Sequence, residues 1–500
     1  MARSSAVNLP LALLAAASLA GCGSTLLDHD ADPSLLVLDC GPGSVSCNGE
    51  CMACQPPPNG RPACVNGGCS FTCTAGYNRC PPAGDTCAPE TGTSCGPSCA
   101  DCTSSTPANA SPACSAAHAC TFACDPGYLK SGSGCQRAVA VSAGYVHTCA
   151  LTADGRVKCW GANDSGQLGN GSTTDSATPV DAALPGAAQV IAAGYDHTCA
   201  VVSGAVYCWG DNAFGEIGDG TTTDRPNPVA VSALTTGIVA MGAGGGILNS
   251  TVSFGHTCAV DAAGGVHCWG ANGSGQVGDG TTVTRTSPVA VTALPPGTAV
   301  ASVACGERHT CANAFGTVFC WGADDSGQLG IGSTNAQTSP ATAAVPSGAS
   351  SVATGQAHSC AVVGSGLECW GLNGNGQVDA GNAATGAFLS PIAVPLGTIL
   401  PSTVGTGRSH TCTADGATVP ATPVCFGADN ADQLGGPGPI DTVALLGPAT
   451  TVLAITAGEN HTCVLTGLGG VQCFGADDRG QLGNGTSGGV SAAPGYVSGL

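Results

Sequence analysis

One motif, repeated at a nearly fixed interval, limits this chain's fold more than any other feature of its sequence. His-Thr-Cys or His-Ser-Cys recurs at His147, His197, His256, His309, His358, His410 and His461, at intervals of 49 to 59 residues. Each copy continues to Cys-Trp-Gly or Cys-Phe-Gly. All five tryptophans of the chain lie there (Trp160, Trp209, Trp269, Trp321, Trp370), with Phe426 and Phe474 in the last two copies. A Gly-Gln-Leu-Gly element follows, starting at Gly166, Gly327 and Gly480 and, with Val for Leu, at Gly275. It reads Gly-Gln-Val-Asp from Gly376 and is degenerate at Gly215 and Gln433. Between these landmarks, short runs of β-branched and small residues alternate and are broken by Asp-Gly or Ser-Gly turns. That pattern predicts strands joined by hairpins, without a helical period. Repeats of 40 to 50 residues with several strands each stack into propellers, so the expected fold is all-β, with a seven-bladed β-propeller over residues 137–500. The strand-like Pro494–Leu500 has no counterpart before the first copy and is expected to return to the first blade and close the ring.

Each copy holds two cysteines: Cys149 and Cys159, Cys199 and Cys208, Cys258 and Cys268, Cys311 and Cys320, Cys360 and Cys369, Cys412 and Cys425, Cys463 and Cys473. The turn Ser203-Gly204 is centred between Cys199 and Cys208, as are Phe315-Gly316 and Gly364-Ser365 between their pairs. A two-residue turn then sets the two cysteines opposite each other across the hairpin, within bridging distance. Cys305 is left over, at the place of Ala143 in the first copy, and reads as a small buried residue. The repeated histidines sit at equal radius in a ring and cannot converge on one ion unless they line the axis. They are expected to anchor a hydrogen-bond network inside each blade, and no metal or catalytic residue is assigned. Asn163-Asp-Ser-Gly166 and its analogues are acidic turns for which calcium is an alternative to plain turn chemistry.

Residues 40–136 form a second repeat system. Two sets of eight cysteines, Cys40 to Cys80 and Cys87 to Cys135, run C-x3-C-x2-C and later close on Cys69-Ser-Phe-Thr-Cys73 and Cys120-Thr-Phe-Ala-Cys124. Modules this small need staples, and four disulfides each is the expected reading. Zinc at Cys51-Met-Ala-Cys54 and Cys99-Ala-Asp-Cys102 is the alternative. Ahead of them, the apolar run Leu9–Ala20 is too short for a bilayer span of about 20 residues. It ends in Leu19-Ala20-Gly21-Cys22, which resembles a bacterial lipobox. Residues 1–21 are thus expected to be a signal peptide, Cys22 a lipidated N-terminus, and residues 22–39 a tether, with anchoring in the cell envelope and most simply in the outer membrane. The abundance of cysteine fits an oxidising compartment.

Charge narrows the function. The chain has 12 Lys+Arg against 32 Asp+Glu, a formal net charge of −20. A nucleic-acid binder needs the opposite balance. The Gly-x-x-His-Thr, Trp-Gly-x-Asn and Gly-Gln-Leu-Gly elements together resemble the regulator-of-chromosome-condensation repeat family, a seven-bladed propeller. That resemblance implies protein binding across one face of the ring. It also implies nucleotide exchange on the GTPase Ran and chromatin binding, as in the founding member, which the acidic charge and the signal peptide disfavour. A bacterial relative that inhibits β-lactamase fits better. The reading is an extracytoplasmic lipoprotein, monomeric and without a cofactor, that is not an enzyme and binds a protein or other envelope ligand. A glycan-acting hydrolase or lyase is the alternative. Recognition is expected where the copies differ: at the insertion Met241–Ser250, including Met241, Ile247 and Asn249, and in the long hairpin Thr413–Pro423, including Asp415 and Thr418.

Overall fold

The computed structural model describes residues 106–498, except 115–119, 126–127, 132–133, 249–251, 296, 381–385, 416–418, 437, 439 and 448–450, together with strand segments between 44 and 101. Cys22, the tether, Asn249 and Thr418 lie outside the described residues, as do the side chains of the module cysteines other than Cys124 and Cys135. The chain divides into two compact units, residues 1–106 with 111–122, and residues 107–110 with 123–500. The first contains short antiparallel hairpins, among them Ser44–Cys47 with Glu50–Ala53 and Gly60–Val65 with Gly68–Cys73. The hairpin Leu129–Ser131 with Gly134–Gln136, bridged by Cys124–Cys135, clusters with the propeller rather than with the modules. Leu129 is buried there against Ala138, Trp160 and Val471.

The second unit contains seven four-stranded antiparallel sheets, each made of consecutive strands in simple up-and-down order. Blade one is Ala138–Ala143, His147–Thr152, Val157–Gly161 and Ser176–Asp181. Blade seven is Val452–Ala457, His461–Thr466, Val471–Ala476 and Val490–Tyr496. The second strands are buried along nearly their whole length, because both faces of each sheet are covered by neighbouring blades. The fourth strands are half-exposed at the perimeter and tolerate Pro and Ser.

Ring closure differs from the sequence expectation. Val490–Tyr496 pairs with Val471–Ala476 in its own blade. Blade one already has an outer strand, Ser176–Asp181, on Val157–Gly161. Every copy thus supplies four strands, and none is left to exchange. Blade seven closes on blade one by packing: Leu465 and Val471 meet Ala150 and Trp160, and the Ala138 amide donates to the Gly469 carbonyl at 2.9 Å.

The paired cysteines form seven disulfides within blades: 149–159, 199–208, 258–268, 311–320, 360–369, 412–425 and 463–473. In each the partners are directly opposite across the second and third strands, with Cα atoms 4.1 Å apart in blade two. Cys305 is the one free cysteine among the described residues. It is buried, and burial pushes its thiol up to about 12.

Candidate functional site

The histidines come first, because they decide which surface remains for recognition. Each imidazole reaches out of its own blade. His147 Nε2 lies 2.9 Å from Thr198 Oγ1 of blade two, and the same contact repeats around the ring to His461 and Thr148. The network expected inside each blade is therefore between blades. The Thr198 hydroxyl donates to the Gln167 carbonyl of the preceding blade, which also accepts the Trp209 indole N–H at 2.9 Å. Since that hydroxyl proton is committed to Gln167, His147 must donate from Nε2, and its Nδ1, which has no partner, carries no proton. Burial holds all seven imidazoles neutral, at about 3 to 4. A β-carbon at Gly194 would lie 2.3 Å from His197 Cε1, so glycine is required beside the ring. These residues hold blades together and are closed to ligands.

The final Gly of Gly-Gln-Leu-Gly has a comparable duty. A β-carbon at Gly330 would lie 2.8 Å from Trp370 Nε1 of the next blade. Blade five has Asp379 at this place, and blade six correspondingly has Phe426, which lacks the indole ring. The Asn that follows Trp-Gly is also consumed: Asn163 Oδ1 accepts the Leu168 amide, and Nδ2 donates to the Ser172 and Thr174 carbonyls. The acidic turns are thus held by their own backbone.

What remains is the two ends of the ring. In each blade the loops after the first and third strands emerge at one face, and the hairpin after the second strand emerges at the other. The two predicted recognition loops therefore lie on opposite faces and form no common site. Asp415 is buried at the end of a strand, 4% exposed, and presents nothing to solvent. The insertion in blade three is different. It extends two strands, Ile238–Leu248 and Val252–Asp261, into a hairpin that rises from the first face. Met241 lies within the strand and is buried. Ile247 stands near the tip, 42% exposed. The hairpin is pinned on both sides. Ser253 donates to Asp211 Oδ2 at 2.9 Å, Phe254 packs edge-on to Phe214 with centroids 6.3 Å apart, and Gly246 lies so close to Glu307 that a β-carbon would come within 2.3 Å of its Cγ.

This hairpin walls one side of a cavity of about 380 Å³ on the ring axis. Its wall is made by the first strands, with Ser142, Thr354, Thr406 and Thr456 among Ile191, Met241, Val404 and Ile455. Its mouth is set by the residue after the glycine in the other blades: Tyr145, Tyr195, Glu307, Gln356, Arg408 and Glu459. Tyr145 and Tyr195 stack with centroids 4.0 Å apart. Arg408 donates to Glu459 Oε1 at 2.6 Å and to the Tyr145 hydroxyl at 3.1 Å. Backbone bonds run between these loops, from the Tyr145 amide to the Tyr195 carbonyl and from the Glu459 amide to the Tyr145 carbonyl. Burial, and then Glu459, push the Tyr145 phenol up to about 12, so it stays protonated. The mouth residues were not singled out in the sequence. Their signal is visible there: the variable pair between Gly and His, the one place in an otherwise constant motif where Tyr, Glu, Gln and Arg take turns.

Two family models described as "Regulator of chromosome condensation (RCC1) repeat" match this chain. One matches residues 154–201, 203–248, 263–312 and 316–362, the other 138–167, 189–216 and 452–481. The propeller belongs to the RCC1 repeat family. Among curated proteins, this RCC1-repeat chain is 34% identical over 196 residues to the ultraviolet-B receptor UVR8 of Arabidopsis thaliana, a match covering 38% of this chain and 42% of the receptor. It is 33% identical over 223 residues to the human probable E3 ubiquitin-protein ligase HERC4, covering 43% of this chain and 20% of that protein. The matches thus span less than half of either relative. Among solved structures, human WBSCR16 superposes with a TM-score of 0.59 at 21% identity, covering 68% of this chain and 93% of that one. Yeast RCC1 (Prp20), solved bound to Kap60, superposes at 0.57 and 17% identity, covering 71% and 85%. At those identities the likeness establishes the fold.

Proposed function

We propose that this protein is an envelope-anchored binding module whose RCC1-type propeller docks a protein partner on the face carrying the blade-three hairpin and the axial mouth. The observation that carries this reading is the hairpin itself. Six blades join their first two strands by a short loop, whereas blade three has nine extra residues between Gly244 and His256 and prolongs both strands into a wall beside the axial cavity. An insertion pinned by Ser253, Phe254 and Gly246 to both neighbouring blades is built rather than drifting. That yeast RCC1 has been solved bound to a protein is in keeping with docking on this fold. The lipobox-like Leu19–Cys22 supports membrane anchoring through Cys22.

The test compares the full chain with a variant whose hairpin is cut back to a turn joining Gly244 to Gly255, using each to capture envelope proteins. The proposal expects a partner retained by the full chain and lost from the trimmed, still folded variant. A partner held equally by both contradicts it. Cys22→Ala should move the protein from membrane to soluble fractions; a variant that stays membrane-bound contradicts the anchoring. Nucleotide exchange on a GTPase is the second reading, suggested by the RCC1 likeness. Accelerated nucleotide release from an added GTPase would favour it.

A further inference from the structure

Formal charge is divided unequally between the two faces of the propeller. The loops after the first and third strands, with the residues that open the fourth strands, carry seventeen of the twenty-three Asp and Glu of residues 137–500 and five of its eight Lys and Arg. The opposite loops carry Asp154 against Arg137 and Arg156, and the strands that end at that face add Asp181, Asp261 and Asp415. The first face therefore has a formal charge of −12 (5 minus 17).

The five arginines on that face are already committed. Arg225 pairs with Asp219 at 2.6 Å, Arg308 with Asp325 at 2.7 Å and Arg408 with Glu459 at 2.6 Å. Arg285 pairs with Asp279, and Arg479 with Asp164 and Asp175. No guanidinium is left to receive a phosphate or carboxylate ligand. At the mouth the carboxylates are not equivalent. Glu459 is neutralised by Arg408, whereas the nearest cation to Glu307 is Arg308 at 4.0 Å, which is turned toward Asp325. Glu307 lies against the backbone of the blade-three hairpin at the edge of the axial cavity. A carboxylate without a close cation, at the rim of an acidic face, is complementary to a cation presented at that rim.

We infer that the axial mouth takes a cationic side chain, lysine or arginine, from a basic segment of the partner, with Glu307 as its counter-ion and the surrounding acidic loops steering the approach. This inference rests on the docking face proposed above and names the chemistry of its occupant. The acidic loops raise the rate of encounter with any basic segment, and they weaken with salt. Glu307 supplies the position-specific part, because it alone faces the cavity without a committed cation.

The experiment uses the purified full chain and two labelled peptides of equal length in a Gly/Ser background, one with three central lysines and one with three central glutamates, followed by fluorescence anisotropy. The lysine peptide should bind and the glutamate peptide should not. Glu307→Gln should weaken the lysine peptide at least fivefold. Asp154→Asn removes the same formal charge from the opposite face and should change it less than twofold. Gln356→Lys puts a cation on the Glu307 carboxylate that Gln356 already bonds and should weaken the lysine peptide as Glu307→Gln does, which covers the case in which Glu307→Gln misfolds. Equal loss from Glu307→Gln and Asp154→Asn, no loss from Gln356→Lys, or no binding of the lysine peptide overturns the inference. If the hairpin-dependent partner is still captured while the peptide arms fail, the docking face stands and only the cationic assignment falls. If the partner ignores the hairpin, the docking face falls as well.

Discussion

Replacing the threonine of His-Thr-Cys by valine removes one hydroxyl from the inter-blade chain while keeping the shape of the side chain, and the structure predicts that the cost depends on which blade is chosen. In blade four, Thr310→Val leaves the buried His256 Nε2–H without an acceptor. The Gln276 carbonyl loses the Thr310 hydroxyl but keeps the Trp321 indole N–H at 2.9 Å. One stranded buried donor costs about 1–3 kcal/mol. In blade seven, Thr462→Val strands His410 Nε2–H in the same way, but position 474 is phenylalanine and has no N–H. The Gln433 carbonyl then loses its side-chain donor outright. Thr462→Val should therefore cost about 1 kcal/mol more than Thr310→Val, the worth of one further hydrogen bond. The assay is equilibrium guanidinium unfolding of the oxidised protein at neutral pH, with the two variants and wild type compared at equal slope. Equal costs for the two variants, or costs under about 0.5 kcal/mol for both, would refute the shared-carbonyl chain as the bond between blades.

The remaining predictions concern other parts of the same framework. The seven imidazoles are held neutral at about 3 to 4. The unfolded chain therefore binds more protons than the folded one below the ordinary histidine value, and the unfolding midpoint should fall as pH drops from about 6.5 toward 4; a flat or rising midpoint over that window contradicts the assignment. Replacing Cys311 and Cys320 together by serine should cost about 2.7 kcal/mol from release of the closed loop, read by the same denaturation. Phe426→Trp should destabilise on its own, because Asp379 stands where the other blades leave room for an indole. Asp379→Gly should rescue it, with a coupling above about 1 kcal/mol in the double-mutant cycle; additive effects would refute the pairing.

The fold was legible because the landmarks recur seven times and any mistaken local reading is outvoted by the other copies. The disulfides were legible because a two-residue turn makes register a matter of counting: Cys199 and Cys208 lie symmetrically about Ser203-Gly204. The direction of the histidines was not. Alternation along a strand assigns a residue to one face of its sheet, but in a stack of sheets either face meets a blade, and only coordinates show that His147 reaches Thr198 rather than its own neighbours. Ring closure was misjudged for a related reason. Pro494–Leu500 stood out as a terminal strand, yet Ser176–Asp181 already fills that place in blade one. Of the candidate recognition residues, Ile247 reaches the surface, whereas Met241 and Asp415 are buried, because an insertion seen in sequence does not show how much of it prolongs strands before the turn. The mouth residues were hidden by the strength of the motif around them: Tyr195, Glu307 and Arg408 occupy the first of the two positions that do not repeat.

The claim that recognition occurs at the axial mouth is tested most directly by amide hydrogen exchange on the full chain, alone and bound to the partner that it captures. Binding should slow exchange in the hairpin Gly244–Phe254 and in the loops carrying Tyr145, Tyr195, Glu307 and Glu459, and leave the opposite hairpins at Asp154, Ser203-Gly204 and Phe315-Gly316 unchanged. Protection confined to those opposite hairpins, with the blade-three hairpin exchanging as in the free protein, would contradict it.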